Sequence, residues 1–213
     1  MRRILKIAKA ELFTLFYSPV AWLILVAFTV QVGLKFTGLM ADFVYREDIG
    51  FGNGFLTANL LGGMFGMYNT VQQYLYLYMP LLTMGLMSRE FSSGSIKLLY
   101  SSPVTSSQII MGKFLAMMAY GLVLLGTLIL YIGYAACVVD NFAFAEALSG
   151  LLGLYLLLCA YAAIGLFVSC LTSYQVVAAI GTLIILAVLN YMNQVWQDIA
   201  FVRDITYWLC LSG

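Results

Sequence analysis

Apolar runs of about twenty residues or more recur five times along this chain, at 19–38, 69–88, 111–138, 148–171 and 174–192. A helix of that length spans the hydrocarbon core of a bilayer, where no water is present to bond the backbone. Each run must therefore satisfy its own N–H and C=O groups as a helix. The remaining residues offer no soluble alternative. Only 9% of the 213 residues are charged and 63% are hydrophobic, whereas a water-facing globule carries about 25% charged residues. The expected fold is an all-α polytopic membrane protein, a single transmembrane domain over 1–213, with an interfacial helix at 1–17 ahead of the five spans.

Several function classes drop out on composition. The formal net charge of +1 gives no footprint for nucleic acid. Without a single His, imidazole metal ligation and His-based acid–base catalysis are excluded. Cys137, Cys159, Cys170 and Cys210 are widely spaced and form no CxxC, so they read as small apolar packing residues rather than a zinc or redox site. No catalytic, cofactor-binding or metal-binding residue is assigned. GxxxxGK[ST] is missing too, so the chain has no P-loop, and any ATPase acting with it is a separate chain.

The first seventeen residues are amphipathic. Ile4, Leu5, Ala8, Leu12, Leu15 and Phe16 share one arc, and Arg2, Arg3, Lys6 and Lys9 the opposite one. Such a helix lies in the interface plane, apolar face in the acyl boundary and cations towards the headgroups. It is too long for the n-region of a signal peptide, and no clear cleavage site follows. Ser18 and Pro19 break it and turn the chain into the bilayer.

Orientation follows from Lys and Arg. With Met1 cytoplasmic, that side holds Arg2, Arg3, Lys6, Lys9, Arg89, Lys97 and Lys113, against Lys35, Arg46 and Arg203 outside, which obeys the positive-inside rule. The carboxylates distribute oppositely, with only Glu11 and Glu90 on the cytoplasmic side. No ionisable group falls at the centre of a span, where an ion-coupled carrier usually places one. Five spans leave the C-terminus outside after an amphipathic stretch from Asn193 to Trp208, as though a final span were missing or the chain were a fragment.

The segment between the second and third runs, 89–108, carries the most information. Ser93, Gly94 and Ser95 break the second helix and supply capping oxygens for a new one; Ile96 to Ser102 make one short helix, and Pro103 ends it. Thr105 to Gln108 then form a capping box that opens the third run. About seven residues cannot hold a helix in water unaided, so Ile96, Leu99 and Tyr100, at i, i+3 and i+4, need a partner surface.

These residues resemble the ABC-2 type permeases, the membrane-spanning subunits of ATP-driven transporters. The resemblance runs through Pro80, Leu81, Leu82, Thr83 and Met84, then Glu90, then Gly94, Ser95, Ile96, Lys97, Leu98, Leu99, Tyr100 and Pro103, and closes on Gly112 and Lys113. Glu11 and the Ser18–Pro19–Val20–Ala21 stretch look like that family's interfacial elbow helix, and the flavour is that of the gliding-motility-associated branch. Gly85 in place of Arg, Ser95 of Thr and Lys97 of Glu are departures from the branch's usual wording. The resemblance implies six spans in the full fold and a coupling helix over Ser95–Ser102 that docks on a separate nucleotide-binding subunit. It also implies a second permease half, the same or different, and residence in a bacterial inner membrane. The function expected is that of a permease subunit in an ABC transporter, an exporter, with no ATPase activity of its own. Its partners would be the ATPase, the second half and membrane lipids. A secondary carrier and a non-transporting membrane anchor or scaffold are the alternatives.

Lesser features have packing as their first explanation. Tyr74, Tyr76 and Tyr78 could line a path but suit an aromatic belt. Asn190, Asn193 and Gln194 suit hydrogen bonds between helices, and Gly165 with Ser169 is a small-xxx-small pair for close helix approach.

Overall fold

The computed structural model describes residues 2–48, 66–95, 105–138, 142 and 144–198. Among these there is helix and no strand, as the apolar runs require. The order is α1 (Arg2–Tyr17), α2 (Pro19–Asp48), α3 (Met67–Thr83), α4 (Ser88–Ser93), α5 (Ser106–Val138), α6 (Phe144–Leu171) and α7 (Gln175–Asp198). The chain folds as an all-α polytopic membrane protein. Helices over Pro19–Asp42, Ser106–Val138 and Phe144–Leu171 are long and apolar enough to cross a membrane, and the apolar part of the last helix covers Gln175–Tyr191. Ile96, Lys97, Leu98, Leu99, Tyr100 and Pro103 lie outside the described residues, as do Cys210 and everything after Asp198.

Ser18 alone separates α1 from α2, its N–H donating to the Leu15 carbonyl at 3.0 Å. The corner is pinned from the other side by Trp22, whose indole N–H donates to the Phe16 carbonyl at 2.7 Å. Phe16 also lies against Tyr120, and the Tyr120 hydroxyl donates to the Ala21 carbonyl at 2.7 Å, so the corner is tied to α5 as well. The apolar core runs from there through Ile24 and Phe28 of α2, Leu75 and Met79 of α3, Leu124 and Leu128 of α5 and Leu158 of α6, all fully buried. Close approach of α5 and α6 depends on Gly121, where a Cβ would come within 2.4 Å of the Leu158 side chain.

Two expectations from the sequence are corrected here. The run at 69–88 is not one helix: α3 stops at Thr83, and α4 begins at Ser88. Hydropathy is blind to the cause. Pro80 brings no N–H to the helix, and the Thr83 hydroxyl bonds back to the Met79 carbonyl at 2.8 Å, a bond that competes with the helix. The 17 residues of α3 span roughly 26 Å, short of a core of about 30 Å, so the break falls where backbone groups must be satisfied by protein. The second correction concerns α1. Ile4, Ile7, Ala8, Leu12, Leu15 and Phe16 are turned towards the protein, while Leu5, assigned to that arc from the sequence, is 63% exposed. The apolar face packs on α5 instead of lying free in the acyl boundary, because Gly112 opens a groove there. A Cβ at Gly112 would sit 2.6 Å from the Ile7 side chain.

Candidate functional site

Helix α4 is the last described element before the segment singled out from the sequence, so the site is the place where α4 is seated. Its foundation is the break after Thr83. Met84 N–H donates to the Pro80 carbonyl at 3.0 Å and Leu86 N–H to Thr83 at 3.1 Å, which tightens the turn but leaves the N–H groups of Met87 and Ser88 over. Ser169, on α6, takes both: its Oγ accepts from Met87 N–H at 3.1 Å and Ser88 N–H at 3.2 Å, and donates to the Met84 carbonyl at 3.1 Å. The Ser88 hydroxyl turns back to the same Met84 carbonyl. One hydroxyl thus does for this buried turn what water does at a protein surface. Gly165, one helical turn earlier, lets it come that close, since a Cβ there would meet Thr83 Oγ1 at 2.2 Å. The small-xxx-small pair read from the sequence therefore sits on the break itself.

The second anchor is electrostatic. Lys113 is 1% exposed, and a Lys that deep is found only where it is paired. Its Nζ lies 2.6 Å from Glu11 Oε1 and 2.6 Å from Glu90 Oε1. Glu11 comes from α1, Glu90 from α4 and Lys113 from α5, so one ammonium joins three helices. Glu11 and Lys113 are 102 positions apart. Each carboxylate has a clear local reason to be there: Glu11 is one turn beyond Ile7 and Ala8, which the Gly112 groove admits, and Glu90 is in the first turn of α4. Glu90 Oε2 is buried without a hydrogen-bond partner. A cleft of about 280 Å³ opens beside the trio, bounded by Thr14 and Ser18 of the elbow, Arg89 of α4 and Gln175 of α7.

Helix α4 ends on Gly94, whose φ of 72° is the left-handed conformation that lets a helix stop and the chain swing away without a Cβ clash. Ser93 and Ser95 hydroxyls lie 2.8 Å apart across this turn. The break at Ser93–Gly94–Ser95 thus caps the C-terminus of α4. Helix α5 then starts directly after Thr105, but the return bond of a capping box is not made, since Gln108 Oε1 is buried with no partner.

Of the residues singled out from the sequence, Glu11 and Glu90 are brought together on Lys113, and Gly94 and Ser95 form the exit from α4. Lys6 and Lys9 stay exposed on the far side of the elbow, away from the trio. Arg2 and Arg3 open α1. Lys113 and Ser169 were noted from the sequence for a motif and for packing; their joining roles were not foreseen. The one signal available was that the basic side carries just two carboxylates, Glu11 and Glu90.

A family model for ABC-2 family transporter proteins matches residues 5–201, nearly the whole chain. The chain belongs to the ABC-2 transporter family. It is a membrane permease of that family, and membership implies an ATPase subunit as partner. A comparison with curated proteins gives no match. The matched region takes in α1, α4 and α5, the three helices that the Lys113 trio joins. No group of His, Cys, Asp and Glu suited to a metal ion occurs among the described residues.

Proposed function

We propose that this permease, an exporter of the gliding-motility-associated branch, moves its substrate when a separate nucleotide-binding subunit hydrolyses ATP. Coupling enters through the helix expected over Ser95–Ser102. The observation that carries the reading is the seat of α4. The six-residue helix directly before the segment is joined to α6 through Ser169 and to α1 and α5 through Lys113. A solvated loop would have no use for such an anchorage, whereas a lever needs a rigid root and a single flexible exit, here Gly94. Export, as the direction, rests on the sequence resemblance. The cytoplasmic placement of Met1 rests on the distribution of Lys and Arg, and a bacterial inner membrane on the sequence resemblance.

A second permease half, identical or different, is part of the same proposal. On α3, Gln73, Leu77 and Leu81 follow one another at helical spacing on an exposed face. A carboxamide turned towards acyl chains loses its hydrogen bonds, so we place the second half, and the path between halves, against this face and the neighbouring α7. The hydroxyl of Tyr76 reaches the Leu183 carbonyl there at 3.5 Å.

The decisive experiment is a pull-down of the ATPase subunit with Leu99→Asp. Burying a leucine stabilises by about 1.5–3 kcal/mol, and a carboxylate in its place adds a desolvation cost. Docking and stimulation of ATP hydrolysis should fall at least tenfold while membrane insertion is unchanged. Lys97→Glu should do less, because an exposed ion pair contributes about 0–1 kcal/mol. Wild-type docking by Leu99→Asp would show that Ser95–Ser102 is not the coupling element.

A further inference from the structure

The elbow helix has two faces of opposite character. The inward face carries Glu11, the only acid in α1, and its carboxylate is taken up by Lys113. Outward stand Leu5, Lys6, Lys9, Phe13 and Tyr17, all exposed, Tyr17 by 85%. The Lys9 ammonium lies over the Phe13 ring, 5.8 Å from its centroid. Because the one acid is turned inside, the described outer face is cationic without compensation. Rings and a leucine alternate on it with ammonium groups, and a single residue joins the helix to a spanning helix. Such a face fits the bilayer boundary, rings at acyl depth and ammonium groups at phosphate depth. Charge complementarity then selects the lipid. A zwitterionic headgroup offers no net attraction, whereas an anionic surface adds about fivefold in binding for each lysine near it.

We propose that this outer face is a seat for anionic phospholipid, and that its occupancy is transmitted to the root of the coupling segment through Glu11, Lys113 and Glu90. Lipid that fixes the elbow fixes Glu11. Glu11 shares one ammonium with Glu90, both at 2.6 Å, and Glu90 belongs to the helix that ends at Gly94. The elbow cannot slide along α5 without breaking an ion pair. The transmission rests on the coupling reading above; the lipid seat does not.

The test uses the full chain alone in nanodiscs of phosphatidylcholine, with and without phosphatidylglycerol. Lipid retained in native mass spectrometry and amide exchange across 88–95 are the two readouts. Wild type should retain phosphatidylglycerol over phosphatidylcholine and slow its exchange at 88–95 when phosphatidylglycerol is present. Lys6→Gln with Lys9→Gln should lose that preference by on the order of tenfold, and with it the protection. Glu11→Gln should keep the lipid and lose the lipid-dependent protection. Lys35→Gln, on α2 well away from the elbow, should change neither. Equal retention of the two lipids by wild type, or an equal loss from Lys35→Gln, overturns the seat. Lipid retained by wild type with exchange at 88–95 unmoved overturns the transmission. Both outcomes leave the permease reading standing, because ATPase docking through Leu99 is measured separately.

Discussion

At the root of the bundle, three helices converge on the ammonium of Lys113, and a fourth supplies Ser169 to a turn of backbone. At the far end the same long helices are held mainly by rings. Phe36 packs against Tyr131 and Tyr134, and the Tyr131 hydroxyl reaches the Thr29 carbonyl at 3.3 Å. Tyr68 lies against Gly150 and donates to the Ala147 carbonyl at 2.7 Å. The bonds at the root are charged or shared, so one displaced atom breaks more than one of them. Ring contacts at the far end tolerate sliding, because dispersion changes gradually with distance and a phenol can find another carbonyl. The contrast suits a molecule that receives force at one end and changes shape at the other.

Lys113→Met gives the hardest blow to this comparison. It leaves two carboxylates facing each other in a site built around a cation, and breaking a buried pair by removing one partner costs about 3–5 kcal/mol. Thermal unfolding of the purified chain in detergent should show the largest drop of any variant discussed here. Lys113→Arg should recover part of it, since the charge returns in a larger shape. If Lys113→Met melts with wild type, charge does not hold the root.

Ser169→Ala comes next. The methyl group fits, but the N–H groups of Met87 and Ser88 lose their acceptor at a depth where water cannot replace it. Leaving a buried donor unsatisfied costs about 1–3 kcal/mol. The loss should be local as well as global, with amide exchange at Met87 and Ser88 accelerating more than in α5. Uniform acceleration would mean that Ser169 merely packs, and the difference between the two ends would shrink accordingly.

The fold class could be read from the sequence because few solutions exist for apolar runs of spanning length with so few charges. The elbow's break at Ser18 was equally visible, since Pro19 has no N–H to give. The root was harder to see. Glu11, Glu90 and Lys113 stand out as isolated charges, but nothing local in the sequence says that residues 102 positions apart meet. Only the scarcity of carboxylates on a basic side hinted that both had an assigned cation. The interruption of the second run escaped because Met84, Leu86 and Met87 are apolar. A hydropathy window averages over them and cannot register a missing hydrogen bond. Leu5 was misplaced for a related reason: the helical wheel knows hydrophobicity but not that Gly112 sets which face of α1 meets α5.

The smallest effect belongs to the far end, and it sharpens the comparison most. Tyr68→Phe removes one hydroxyl and leaves the ring against Gly150. In a membrane setting a single hydrogen bond between helices averages about 0.6 kcal/mol, and the Ala147 carbonyl released here keeps its intrahelical neighbours. The expected shift in unfolding midpoint is therefore small, several times below that of Ser169→Ala, with unaltered docking of the ATPase subunit. Tyr68→Ala is the informative companion, because it removes the ring and opens a void between α3 and α6. Tyr68 is half-buried, so the cost stays below the about 3–5 kcal/mol of a fully buried aromatic cut to Ala. A wide gap between Tyr68→Phe and Tyr68→Ala places the stability of the far end in the ring. Should Tyr68→Phe alone cost as much as Ser169→Ala, the far end is also held by directional bonds, and the division of labour between the two ends of this permease disappears.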